Sequence, residues 1–262
     1  MARRIRKPDW GRVIARLRDR VAAGDVAAMT DLALNLADGI QDRNGRSLVR
    51  RSAAYAVHLL RRAAAKGDPT AAGSLGYAYD VGQGIRRDTA LALMWYRRAA
   101  QMGNTTAVTN IATVYRDQGN LRLAHRWLLR AKTMGDGDAA VTAGYGYLYA
   151  IGVRRDLRSA RRMFRYALLA RDTSPYGREE ALYNLAIAHI DSGNRRRAIP
   201  LLNQANKDGD YPEAASLLAQ IKSKTALRPC RCRRHLEKHI RGHATCPQHP
   251  ANAGFVVNNV RT

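Results

Sequence analysis

The chain repeats itself, and that limits its fold more than any other feature does. Gly67, Gly103 and Gly135 each close an alanine-rich stretch, and they stand 36 and then 32 residues apart. A period of that size in an alanine- and leucine-rich chain marks stacked helix pairs, because one pair alone cannot bury its apolar face. Aligning the copies on Ala71, Ala107, Ala139 and Ala181 places Leu75, Ile111, Ala143 and Leu185 four residues on. Tyr79, Tyr115, Tyr147 and His189 then fall eight residues on. Steps of four put these side chains on one helical face. The second helix of each pair reads backwards from its closing glycine, Gly209 being the last. Ala63, Ala99, Ala131 and Ala205 lie four residues before, and Leu59, Trp95, Trp127 and Leu201 eight before. Small against large lets paired helices approach closely, with one bulky residue filling each gap. A glycine just past the helix supplies the left-handed residue that ends it.

Within this pattern, one copy carries Ala71, Leu75, Gly76, Tyr79, Gly82, Gly84, Asp88, Trp95, Tyr96, Ala99, Ala100 and Gly103. That set closely resembles a Sel1-like repeat, a relative of the tetratricopeptide repeat. A later copy with Gly144, Tyr147, Gly152 and Asp156 resembles it too. The copies over 105–135 and 179–209 lack Gly-x-Gly and look more like tetratricopeptide repeats. The first copy, from Gly24, has a longer loop, DGIQDRNGRS. The resemblance implies an all-α fold, a right-handed α-solenoid of antiparallel helix pairs. It would span 22–221 as four to five pairs plus a capping helix, between a basic N-terminal segment (1–21) and a basic Cys/His-rich C-terminal tail (222–262). It also implies a protein-interaction scaffold whose first helices line the concave side and whose second helices line the convex side.

Charge sharpens that expectation. The chain holds 45 basic and 21 acidic residues, a formal net charge of +24. The first helices carry a slight negative balance. The second helices carry a basic ridge: Arg97 and Arg98, then Arg122, Arg126 and Arg130, then Arg158, Arg161, Arg162 and Arg165, then Arg195, Arg196 and Arg197. The concave groove is therefore expected to be nearly neutral. Its exposed, partner-binding positions are read as Ser74, Tyr77, Thr109, Asn110, Thr113, Thr142, Tyr145, Tyr183 and Asn184. Tyrosine, threonine and asparagine suit a protein segment, offering amide hydrogen bonds and flat apolar area. A phosphate backbone would call for Arg or Lys instead. The competing reading is that some of these tyrosines pack between repeats. For the ridge, a solvated outer face competes with a seat for an acidic or nucleic-acid partner. Only seven of the basic residues are lysine, and an arginine excess of that kind can also reflect a GC-rich genome.

No catalytic constellation is legible, so the expected role is non-enzymatic. The sequence holds no HExxH, no GxSxG and no Gly-rich phosphate loop with its lysine. Asp88 and Asp156 begin second helices, where an aspartate caps free amides. His58, His125 and His189 are isolated; Glu179 and Glu180 sit at a helix start and need no acid/base role. No 18-residue apolar run suggests a membrane span, and the N-terminus has a basic start without an apolar core. All three cysteines lie in the tail, which fits a reducing, cytoplasmic compartment better than a disulfide framework. There Cys230, Cys232, His235, His239, His243, Cys246 and His249 crowd into twenty residues. Any four could hold one structural zinc; a disordered basic tail and redox-sensitive thiols are the alternatives.

Overall fold

The structure, a computed structural model, describes residues 9–41, 45–209 and 211–223. Among the described residues it is all-α except for one short ribbon. Twelve helices follow in order: α1 (Trp10–Ala22), α2 (Val26–Asp38), α3 (Ala53–Ala65), α4 (Pro69–Val81), α5 (Thr89–Gln101), α6 (Thr105–Asp117), α7 (Leu121–Thr133), α8 (Gly137–Tyr149), α9 (Leu157–Leu169), α10 (Pro175–Ile190), α11 (Arg195–Ala205) and α12 (Pro212–Lys222). They form the antiparallel helix pairs of a repeat solenoid, and the chain divides into two compact units, Met1–Ile111 and Ala112–Thr262. In the first unit α2 packs on α3 and α4 on α5. In the second, α8 packs on α9 and α10 on α11, with α12 closing against α11.

Helix starts are written in the local sequence. Asp25, Asp68, Asp88, Asp136 and Asp156 each sit in extended backbone one residue before a helix and accept an amide of its first turn. Each such cap contributes about 1 kcal/mol. Asp88 and Asp156 thus have the structural role expected of them. Helix ends follow the closing glycines: after α3, Gly67 turns at φ 90°, and Asp68 N–H reaches back to the Ala63 carbonyl.

Close packing explains the remaining glycines. A Cβ on Gly76 would strike the Tyr96 ring, and one on Gly144 would strike the Phe164 ring. Tyr96 and Phe164 are fully buried, each contributing about 2–3 kcal/mol by that burial. The expected gap-filler Trp95 is only half-buried, with the Arg98 guanidinium over its ring. The bulky residue that meets the helix glycine is its neighbour. Gly84 and Gly152, at positive φ, bring the interhelix turn against the backbone that opens the preceding second helix, at Ala53 and Leu121. No side chain fits there.

Two features exceed the sequence reading. Residues 10–21, read as part of a basic N-terminal segment, belong to the helix α1, whose Ile14, Leu17 and Val21 are buried on a face turned to α2. The long loop of the first copy holds a two-stranded antiparallel ribbon, β1 (Ile40–Gln41) and β2 (Ser47–Val49).

Candidate functional site

The first helices share a register. Asp25, Asp68, Asn104, Asp136 and Ser174 cap α2, α4, α6, α8 and α10. The ninth residue after each cap is Leu34, Tyr77, Thr113, Tyr145 and Tyr183 in turn. Identical register places these five side chains at one angular position on their helices, yet their surroundings differ.

In the first unit that position is open. Tyr77 is 42% exposed and Leu34 46%. Ser74, Thr109 and Asn110 are half-buried; Asn110 meets the buried Tyr96 hydroxyl, and Thr109 donates to the Thr105 carbonyl of its own helix. Neither α2 nor α4 contains a single lysine or arginine, although basic residues make up 45 of 262.

In the second unit the same position is built into a polar cluster. Asn184 is 3% exposed, not a surface residue. Its Nδ2 donates to the Tyr145 hydroxyl (3.1 Å) and to the Glu180 carbonyl (2.8 Å), and its Oδ1 accepts from the Tyr149 hydroxyl (3.1 Å). The expectation of an exposed Asn184 fails because α10 turns this residue toward α8, where two tyrosines use up its amide. Tyr145 is half-buried, stacked beside Tyr149 and edge-on to Phe164. Tyr183 leans on Tyr211 with ring centres 5.4 Å apart. Thr113 is half-buried; Thr142 is exposed, and its hydroxyl donates to the Asp138 carbonyl.

Beneath this cluster lies a carboxyl that sequence reasoning passed over. Glu180 is only 8% exposed. Burial pushes its pKa up to about 7, and hydrogen bonds from the Tyr145 and Tyr176 hydroxyls only partly offset that. Burial likewise raises Asp138, whose carboxylate accepts from the Ser174 amide and hydroxyl. The available signal was spacing: Tyr176, Glu180 and Asn184 recur every four residues and so share one face of α10. Nothing in that pattern says the face is covered.

Arginines of the second helices do different jobs. Arg98 and Arg130 lie over the Trp95 and Trp127 rings, at 5.4 and 5.0 Å from the centroids. Arg158, Arg161, Arg162 and Arg165 of α9 instead wall a cleft of about 560 Å³, completed by Arg197, His189, Ser192 and Asn194 from the α10–α11 corner. His125 and His189 are buried packing residues. Burial lowers the pKa of both, and three arginines lower His189 further. The His125 ring meets the Tyr147 ring edge-on at 4.8 Å.

The seven expected metal ligands, Cys230, Cys232, His235, His239, His243, Cys246 and His249, lie outside the described residues. Among the described residues, no group of three or more His, Cys, Asp or Glu side chains could hold a metal ion. No described helix is long and apolar enough to cross a membrane.

A Sel1 repeat profile matches residues 26–68, 69–104, 115–136 and 138–171, together just over half of the chain. Among solved structures, the chain is similar to a protective antigen present in uropathogenic Escherichia coli strains, described as displaying an SLR fold. The identity is 21%, over 89% of this chain and 55% of the antigen, with a TM-score of 0.54. The chain therefore spans about half the antigen's length. It is also similar to a Sel1 repeat protein from Oxalobacter formigenes, at 21% identity over 74% of this chain and 78% of that one, with a TM-score of 0.57. Likeness at this identity establishes the fold alone. No curated protein matches the chain.

Proposed function

The chain belongs to the Sel1 repeat family, and from that premise we propose that it is a non-enzymatic protein-interaction scaffold whose first-helix face in the first unit takes a segment of a partner protein. The observation that carries the reading is the composition of that face. Leu34 and Tyr77 stand exposed at one repeat position, with Ser74 beside Tyr77, on helices from which basic residues are absent. Exposed tyrosine and leucine offer flat apolar contact, and serine with asparagine offers hydrogen bonds, the mixture that recurs where proteins recognise proteins. A face without Lys or Arg, in a chain of charge +24, does not suit a phosphate backbone.

In the second unit the proposal is narrower. Tyr145 and Asn184 hold the repeats together, which leaves Thr142 and the outer edge of Tyr183 for contact. A photoreactive phenylalanine tests the reading directly. Placed at position 77 of the full-length protein, it should crosslink a protein partner that the same label at Met94, exposed on α5, does not reach. Tyr77→Ala should weaken capture of that partner by about ten-fold, as loss of one aromatic anchor does. Equal crosslinking from both positions, or unchanged capture, would overturn the reading.

A further inference from the structure

The arginine cleft of the second unit lies outside the proposed partner face, and its chemistry points elsewhere. Arg158, Arg161, Arg162 and Arg165 come from one helix, α9, and Arg197 comes from the first turn of α11. No carboxylate is among the residues that line it. Two acidic residues flank the lining residues in sequence, and both have other contacts. Asp191 pairs with Arg155 on the far side of the turn, and Asp156 spends an oxygen on the amides of Arg158 and Ser159. Five guanidinium groups thus line the cleft, and of the flanking carboxylates only Asp156 feels one of them, Arg158. Such an arrangement raises the free energy of the empty cleft and lowers that of a bound anion.

The cleft is also organised. Arg161 is held by hydrogen bonds to the Ala188 carbonyl and the Ser192 hydroxyl, so its guanidinium is fixed at the C-terminal end of α10. Asn194 caps α11 through the Arg197 amide, which opens the first turn of that helix toward the same space. A helix N-terminus adds positive potential to what the side chains supply. His189, buried, also lines the cleft, its pKa lowered by that burial and then by Arg161, Arg165 and Arg197. The volume, about 560 Å³, suits a compact ligand rather than an extended polymer.

We infer that this cleft is a binding site for a phosphate-bearing ligand, taking a phosphomonoester or diphosphate group on the planar forks of Arg158, Arg162, Arg165 and Arg197. Guanidinium pairs match phosphate oxygens two by two, which a lysine ridge could not do. Two sources carry that chemistry, a free phosphorylated small molecule and a phosphorylated side chain.

Calorimetric titration of the full-length protein tests it, with pyrophosphate in one arm and a phosphoserine peptide beside its unphosphorylated form in the other. At an ionic strength of about 0.15 M, charges more than about 8 Å apart are largely screened, so a local site stands out from diffuse attraction. Binding at one site is expected, with Arg162→Gln/Arg165→Gln weakening it at least about ten-fold, the loss of two charged contacts. Both arginines are exposed, so the fold should persist. Arg122→Gln/Arg126→Gln removes the same charge from α7 and should change affinity less than about two-fold, as expected of a screened distant pair. Saturation should also move the His189 titration upward, since a bound anion opposes the arginines that lower its pKa. Tighter binding of pyrophosphate assigns a free ligand; preference for the phosphoserine peptide assigns a modified side chain. Equal loss in both double variants, an unmoved His189, or no binding in either arm would each overturn the site.

Discussion

Tyr77 and Tyr145 occupy the same position in two copies of one repeat, and they do different things. Tyr77 faces out from α4 with Ser74 beside it. Tyr145 is stacked on Tyr149, set against Phe164 and hydrogen-bonded by Asn184. Register along the helix is identical, so the difference comes from what lies opposite. In the second unit α10 presents Glu180 and Asn184 to α8, and Tyr145 becomes part of an interior network. A repeat fixes the direction in which a residue points; the neighbouring helix decides whether that direction is solvent or core.

The largest test of this contrast is the buried carboxyl. Glu180 has a pKa raised from 4.5 to about 7, so its stabilising neutral form is fully present below 4.5 and lost as pH rises through 7. That swing is worth roughly 3 kcal/mol. His125 and His189, with lowered values, act oppositely, losing stability as pH falls below 6.5. Glu180→Gln should therefore be compared with the parent by urea unfolding from pH 4 to 8. The difference between the two should rise in the variant's favour between 4.5 and 7. A flat difference would mean that Glu180 is solvated.

Next comes Asn184→Ala, which removes the acceptor of the Tyr149 hydroxyl and a donor to the Tyr145 hydroxyl. A loss of about 2 kcal/mol is expected by urea unfolding, whereas Asn110→Ala in the first unit should cost less. Comparable losses would erase the distinction between the units. The two repeats also end their first helices differently: Gly82 stands at φ 76°, and its counterpart Ala150 adopts φ 60°. Ala150→Gly should stabilise the protein, and Gly82→Ala destabilise it, by about 1 kcal/mol each in thermal or urea unfolding. The smallest effect belongs to Tyr77→Ala, under about 0.5 kcal/mol on stability despite its expected effect on partner capture. A larger loss would make Tyr77 a packing residue like Tyr145.

Much of the fold was legible because its determinants are local. Aspartate caps, closing glycines and small–large alternation act within one helix pair, so spacing alone located the pairs and their ends. Helix α1 escaped because its apolar residues are few and spaced among arginines, and only the presence of α2 makes Ile14, Leu17 and Val21 a buried face. The candidate site was read less completely. Tyr77 stands where expected, and His189 packs where the repeat puts a tyrosine. Asn184 was read as exposed and is buried, and the burial of Glu180 was not legible, since polar side chains are usually solvated and nothing local reveals a covering helix.

The sequence by itself determined the repeat, the helix limits and the segregation of charge, with basic residues gathered on second helices and excluded from α2, α4 and α8. Those properties follow from periodicity and capping, which need no knowledge of distant residues. Only the tertiary structure decided that Glu180 and Asn184 are interior, and that arginines of α9 meet the α10–α11 corner around His189. Burial and convergence depend on packing between helices far apart in sequence, and a one-dimensional pattern specifies a face without specifying what covers it.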